Sequence, residues 1–319
     1  MLEPTREVTV EIGDLVLDDG TLLNDVRQRV TIYAASATKT VLVAHALTGS
    51  SRAAEWWPGM IGDGTFFDPA HWRVIGINVL GGCYGSSPVP DGSRVTVRDI
   101  VRAEQRALQK LGVERLDVVV GGSLGGMQAL QWAVDFPDRV ENAVVIGAHD
   151  HHSPMGIALN ALQREAIQID PQRGLRLARK IAMLTYKSEE LFNARHGRKP
   201  DRKGKDRFDV EGYLDHQADI FERRMNPYTY ALLTHAMDSF DVRDSPVPRG
   251  PRLHFIGISS DWLFRPQDVQ AAAERFASLG ADAHYAELRS DHGHDAFLAE
   301  PNELATLLGN VSARTSTRR

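Results

Sequence analysis

Two kinds of hydrophobic pattern divide this chain. Glu7–Leu17 and Arg29–Ala35 alternate apolar with polar positions, and Asp18-Asp19-Gly20 supplies turn chemistry between them. Alternation with period two predicts half-exposed antiparallel strands at a sheet edge. From Thr40 the pattern changes to nearly continuous apolar runs: Val41–Ala44, Val74–Val79, Val118–Val120 and Ala143–Ile146. Runs of that length predict strands covered on both faces, as in a parallel sheet flanked by helices. Helical spacing lies between them over Val97–Leu111 and Met127–Asp135, with Pro137 closing the second. The alternation predicts a doubly wound α/β core, a mostly parallel sheet with helices on both faces.

The pattern then breaks. Ile157–Gln168, Gly174–Tyr186, Val210–Arg224 and Tyr228–Phe240 read as helices with no convincing strand among them. The Lys- and Arg-dense stretch Arg195–Arg207 reads as an exposed loop with a solvated face. Strand and helix patterns resume with Leu253–Ile258, Pro266–Leu279, His284–Leu288 and Asp295–Leu308, and the tail Arg314–Arg319 is expected to fray. The division expected is a core formed by residues 1–152 and 241–319, interrupted by a helical cap at 153–240.

Composition narrows the function. With 42% apolar residues, 25% charged residues and a net charge of −5, the 319-residue chain is an ordinary globular protein with no bias toward nucleic acid or an anionic membrane. One cysteine, Cys83, excludes an internal disulfide and every cysteine-cluster metal site, and is expected to be a buried small residue. No secretory signal and no run of about 20 apolar residues is visible, so a cytoplasmic location is expected.

The densest chemistry lies at Gly121-Gly-Ser123-Leu-Gly125, after one apolar run and before a helical pattern. Strand, tight turn and helix around G-x-S-x-G form a nucleophile elbow, which lifts a serine hydroxyl clear of the sheet and aims the next N–H, that of Leu124, at a substrate. A serine nucleophile needs a base, and the base an orienting carboxylate. Asp261 follows the run Leu253–Ile258, and His294 follows the last strand. Asp241, Asp244 and Asp268 are rival acids that follow no core strand, and His292 competes with His294 among twelve histidines. His45-Ala-Leu-Thr-Gly49 follows the first buried strand, where a second oxyanion N–H, that of Leu47, is expected. Asp150, His151 and His152 lack a further ligand at recognisable spacing; they are expected at the hinge of the cap, and no metal site is expected.

Together these residues resemble the homoserine O-acetyltransferases of the α/β-hydrolase superfamily. The resemblance rests on His45–Gly49, Trp56-Trp57 with Gly59–Gly62, Asn78-Val-Leu-Gly-Gly-Cys-Tyr-Gly-Ser86, Val97–Asp99 and Gly121–Leu130. It continues through Ala178-Arg with Leu184–Tyr186, Tyr213-Leu214, Tyr230–Asp241, Ser260-Asp-Trp-Leu-Phe264 and Gly293-His-Asp-Ala-Phe-Leu298. It implies an α/β-hydrolase fold and a ping-pong acyl transfer: Ser123 as nucleophile, His294 as base, Asp261 as its orienter, and acetyl-CoA as co-substrate with no permanently bound cofactor. It further implies that Arg224, Tyr230, Asp295 and Thr48 bind an amino-acid acceptor, with Arg224 on its carboxylate and Asp295 on its ammonium group, and that the chain pairs as a homodimer through the cap. Three departures concern the acceptor side. A segment between Asp170-Pro171 and Gly174-Leu175 is nearly absent, Gly85-Ser-Ser-Pro88 is one glycine short, and Met225-Asn226 replace Phe-Asp. Serine as acceptor, succinyl-CoA as donor, or plain esterase chemistry are the alternatives that the same machinery serves.

Overall fold

A computed structural model describes residues 2–202 and 204–313; the tail expected to fray lies outside them. Its centre is an eight-stranded sheet of order β1-β2-β4-β3-β5-β6-β9-β10. The strands are β1 (Arg6–Val16), β2 (Leu22–Tyr33), β3 (Lys39–Val43), β4 (Trp72–Ile77), β5 (Leu116–Gly122), β6 (Val140–Ile146), β9 (Arg252–Ile258) and β10 (Asp282–Leu288). The last six in the spatial order are mutually parallel, while β2 runs antiparallel to both neighbours. Even the continuous apolar runs split by alternation. Leu42, Val119, Val145 and Phe255 join the core on one face, and Val41, Val43, Val118, Val120, Val144 and Ile256 join that on the other. Both faces are dry, so both parities must be apolar.

Helices α1 (Ala53–Trp56), α2 (Val97–Lys110) and α3 (Leu124–Asp135) precede β6. A capping box starts α2: Thr96 Oγ1 accepts from the Asp99 N–H at 3.1 Å while Asp99 accepts from Thr96 N–H at 3.0 Å. After β6 come α4 (Pro154–Ile169), α5 (Pro171–Thr185), α6 (Glu189–Arg195), α7 (Asp209–Glu222) and α8 (Pro227–Asp238); α9 (Pro266–Ser278), α10 (Ala296–Ala299) and α11 (Pro301–Ala313) follow β9 and β10. The chain leaves for α4 and returns from α8 along one narrow path, where His152 N–H donates to Phe240 O (3.1 Å) and Val242 N–H to Asp150 O (2.9 Å). Helices α4 and α5 meet at a single residue, Asp170, which caps α5 through the N–H groups of Gln172 and Arg173. A Cβ on Gly174 would stand 2.0 Å from Ala166 O, so this tight crossing requires glycine.

Two expectations are corrected. The basic stretch expected as a plain loop contains a small antiparallel hairpin, β7 (Pro200–Asp201) with β8 (Gly204–Phe208). Its Arg207 pairs with Asp215 of α7 at 2.5 Å, an anchor invisible in local composition. The single helix expected over Asp295–Leu308 is instead a 3₁₀ turn at Gly293–Asp295 followed by α10 and α11. Pro301 has no N–H to donate and pushes Glu300 out of the helical region (φ −119°, ψ 59°). Among the described residues no helix is long and apolar enough to cross a membrane.

Candidate active site

The loops that follow β3, β5, β6, β9 and β10 share one edge of the sheet, the carboxyl edge where open α/β sheets place their sites. Ser123, between β5 and α3, has φ 58° and ψ −125°, a left-handed conformation that costs a non-glycine residue strain and persists only where its surroundings fix it. They do so here: Ser123 N–H donates to Ile146 O at 2.9 Å, and Ser123 O accepts from Met127 N–H at 3.0 Å. The glycines on either side are a packing requirement. A Cβ on Gly125 would lie 2.2 Å from Ala44 O, and one on Gly121 would lie 2.5 Å from the Gly125 backbone. Gly125→Ala is therefore expected to destabilise the fold by about 3 kcal/mol or more, as overpacking against backbone does; a denaturation midpoint equal to that of the unsubstituted chain would contradict this close packing.

His294 Nδ1 and Asp261 Oδ2 are 2.6 Å apart, both residues only 3% exposed. The other carboxylate oxygen, Oδ1, accepts from the N–H groups of Leu263 and Phe264, each at 2.9 Å. Asp261 is thus held from two sides, and its remaining oxygen fixes the His294 ring. Phe264 stacks on that ring (centroids 5.1 Å, 22°), Phe297 meets it edge-on at 6.0 Å, and Tyr186 of the helical segment lies 6.0 Å away. Burial opposes protonation of His294, but the charge and hydrogen bond of Asp261, with Asp295 behind, outweigh it and raise the imidazole above its ordinary value. His294 Nε2 is buried with no hydrogen-bond partner among the described residues. The ring lies against Gly147, where a Cβ would be 3.3 Å from Cε1; Gly147 directly follows Ile146, the acceptor of the Ser123 N–H. The structure thus pairs the imidazole with the carboxylate, and sets the Ser123 turn and the His294 ring on loops at the same edge of the sheet without a hydrogen bond between them among the described residues.

The loop after β3 is fixed by its own histidine. His45 Nδ1 donates to Ala46 O (2.8 Å), Nε2 accepts from Val79 N–H (3.1 Å), and burial pushes the ring down to about 4, keeping it neutral. Gln128 Nε2 joins His45 O and Leu124 O at 3.0 and 3.1 Å, tying this loop to the first turn of α3. Leu47 and Leu124 are both buried, and the Leu124 N–H opens a helix whose first amides have no partner within it.

The remaining predicted residues come from both layers. Arg224 donates from Nη1 to Thr48 O at 2.8 Å, and both line a cleft of about 550 Å³ with Arg29, Tyr84 and Trp56. Asp295 is already paired, its Oδ2 lying 2.7 Å from Lys187 Nζ. Tyr230 is 1% exposed, its ring edge-on to Phe221 and its hydroxyl donating to Gln163 Oε1, so in this structure it faces helices rather than the cleft. The rival acids Asp241 and Asp268 sit in surface pairs with Arg243 and Arg265, and His292 is partly exposed, 3.8 Å from Glu300. Asp150, His151 and His152 stand on the path into and out of the helical segment; His149, Asp150 and His151 place one ligand atom each within 4.8 Å of one another.

Cys83, expected to be buried, is an exposed free thiol. The chain after β4 turns outward at Gly81 (φ 77°), which carries the thiol to within 3.4 Å of Arg224 O. Two partners escaped sequence reasoning. Lys187 stands 108 residues from Asp295 with no pattern linking them, whereas Phe264, three residues after Asp261, belongs to a motif whose stacking role only the fold displays.

Known proteins bear on this geometry. The α/β hydrolase fold family model matches residues 39–301. A homoserine O-acetyltransferase of Deinococcus radiodurans is 41% identical over 321 residues, covering 96% of this chain and 92% of the relative. The crystal structure of a homoserine O-acetyltransferase from Staphylococcus aureus superposes with a TM-score of 0.83 at 26% identity, over 98% of this chain and 97% of that one. An acetylester hydrolase from Corynebacterium glutamicum shares the fold, with a TM-score of 0.81 at 21% identity over 98% of each chain.

Proposed function

This chain belongs to the homoserine O-acetyltransferases of the α/β-hydrolase fold, and on that premise we propose that it moves an acetyl group from acetyl-CoA to the hydroxyl of L-homoserine, a step of methionine biosynthesis, through an acyl-serine. Ser123 Oγ gives its proton to His294 Nε2 and attacks the thioester carbonyl. The N–H groups of Leu124 and Leu47 hold the oxyanion, a contribution of about 10²–10³ in rate per donor. The C–S bond breaks and coenzyme A leaves with the proton from His294. The acceptor hydroxyl then loses its proton to His294 and attacks the acyl-serine; collapse returns the proton to Ser123. Asp261 keeps the imidazole in the tautomer that leaves Nε2 free to accept. Acetyl-CoA is a co-substrate, and no resident cofactor enters any step.

The observation that carries this reading is the 2.6 Å Asp261–His294 pair, whose outer nitrogen is buried and uncommitted among the described residues, with its ring against Gly147, next to the residue that anchors the strained Ser123 turn. Residues 153–240 act as a cap over the site, excluding water from the acyl-enzyme, which separates a transferase from a hydrolase. Arg224 and Thr48 at the cleft mouth hold the acceptor carboxylate. Asp295 receives the ammonium group by exchanging its Lys187 partner, and Tyr230 supports this side of the pocket from within the helices. The exposed apolar side chains of α4 and α5, among them Met155, Leu162 and Leu177, form the surface that a second copy would cover in a homodimer. The setting is a cytoplasmic one.

The expected result is acceptor-dependent release of free thiol: acetyl-CoA with L-homoserine reacts, and leaving out homoserine nearly abolishes release. Equal release without the acceptor makes the protein a hydrolase. Faster release with L-serine or with succinyl-CoA reassigns the acceptor or the donor.

A further inference from the structure

The basic residues of α5 differ in their partners. Arg176 takes Asp219 (2.6 Å) and Glu222, and Lys180 takes Asp215 (2.5 Å), all on α7. Arg179, on the turn between them, faces elsewhere. Its Nε is buried without a hydrogen-bond partner among the described residues, and its guanidinium lies 4.8 Å from the centroid of Phe221 and 5.7 Å from that of Tyr186. Tyr186 in turn is 6.0 Å from the His294 ring, so Arg179 stands one aromatic layer from the reacting nitrogen. Phe221 carries a second guanidinium, that of Arg224, at 5.5 Å.

Two like charges gathered around one apolar ring repel one another, and a partly dry setting strengthens that repulsion. Asp295, whose charge reaches Tyr186, is itself paired with Lys187. The charge of Arg179 is felt by neighbouring hydroxyls: burial pushes Tyr186 and Tyr230 upward, and Arg179 pulls against that in both. An anion of planar, forked shape satisfies such a pair. A carboxylate meets both requirements, because guanidinium groups bind it through two parallel N–H···O bonds.

We propose that Arg179 is a second carboxylate-reading residue, which with Arg224 brackets the acceptor's carboxylate around Phe221 and makes the site selective for a hydroxy amino acid over the corresponding amino alcohol. The assignment rests on the acyl-transfer reading for the role of the pocket. It explains why Arg179, unlike its neighbours Arg176 and Lys180, has a buried guanidinium nitrogen with no acid from α7 beside it among the described residues. The Arg176 and Lys180 ion pairs then hold α5 and α7 together around it.

The test uses thiol release from acetyl-CoA with L-homoserine and with 3-aminopropan-1-ol, the same chain without the carboxylate. Arg179→Gln is expected to raise the KM for homoserine about 10–100-fold, the range of a lost hydrogen bond to a charged group. It should leave kcat/KM for the amino alcohol unchanged, and Arg179→Lys should restore part of the loss. In a Ser123→Ala chain, L-homoserine should raise the thermal midpoint, and adding Arg179→Gln should remove that rise. Equal losses for both acceptors, an unchanged homoserine KM, or no stabilisation by homoserine would overturn the proposal. A change confined to the preference between acetyl-CoA and succinyl-CoA would overturn it too, placing the guanidinium at the acyl end. If the unsubstituted chain shows no acceptor-dependent thiol release, the transferase reading fails, and homoserine stabilisation of the Ser123→Ala chain still decides the role of Arg179.

Discussion

A Ser123→Ala chain is expected to transfer acyl groups on the order of 10⁶-fold more slowly than the unsubstituted protein. Serine, imidazole and carboxylate act as one unit, so removing the atom that becomes the acyl carrier leaves the other two with nothing to deprotonate. Binding should survive, because Ser123 is 8% exposed and its backbone is anchored by Ile146 and Met127 rather than by its hydroxyl. Thiol release at saturating acetyl-CoA measures the loss. Intact-protein mass after exposure to acetyl-CoA alone supplies the second readout: one acetyl group gained by the unsubstituted chain, none by the variant. Undiminished turnover would remove Ser123 from the mechanism.

The second largest effect is expected at Asp261. Asp261→Asn should lower kcat about 10⁴-fold, because an amide can donate to Nδ1 and stabilise the wrong tautomer, turning Nε2 from acceptor to donor. Here the two backbone N–H groups bonded to Oδ1 make the geometry unusually decisive: the side-chain amide can place its oxygen there only by turning its NH₂ toward the imidazole. A change in pH profile should accompany the loss. The base works only when neutral, so kcat/KM falls as pH drops through the folded pKa of His294, which lies above the ordinary 6.5. Removing the Asp261 charge leaves burial as the main influence, and burial lowers that pKa. The acid limb should therefore move to lower pH even as the plateau falls. A limb that stayed in place would mean that some other group sets the profile.

How much of this was readable in the chain depended on whether the cause was local. The sheet was legible because burial on both faces forces apolar side chains at both parities, as in Val118–Val120, and this stays visible without knowing the neighbours. The elbow was legible for a related reason: close backbone approach demands glycine at 121 and 125 whatever the fold around it. The positions of Asp261 and His294 followed from their place after late strands. Partners distant in sequence were not legible. Nothing near Asp295 points to Lys187, and nothing in Tyr228–Phe240 says that the Tyr230 ring turns inward to Gln163. Cys83 was misplaced because it follows a strand with no elbow and no obvious base, which suggested a buried small residue, while Gly81 swings the next residues outward. The break at Glu300–Pro301 was a local signal, overridden by an apolar periodicity that continues through it. The hairpin at 200–208 is short and polar, and takes its order from Asp215, outside any window that composition can scan.

The paired crossing at 150–152 and 240–242 has an evolutionary consequence. Because departure and return are adjacent, everything strung between them behaves as a cassette with a fixed socket. Such a cassette can be shortened, lengthened or rebuilt while the strand register beneath stays where it is. Diversification in such a scaffold proceeds by exchanging roofs over an unchanged foundation.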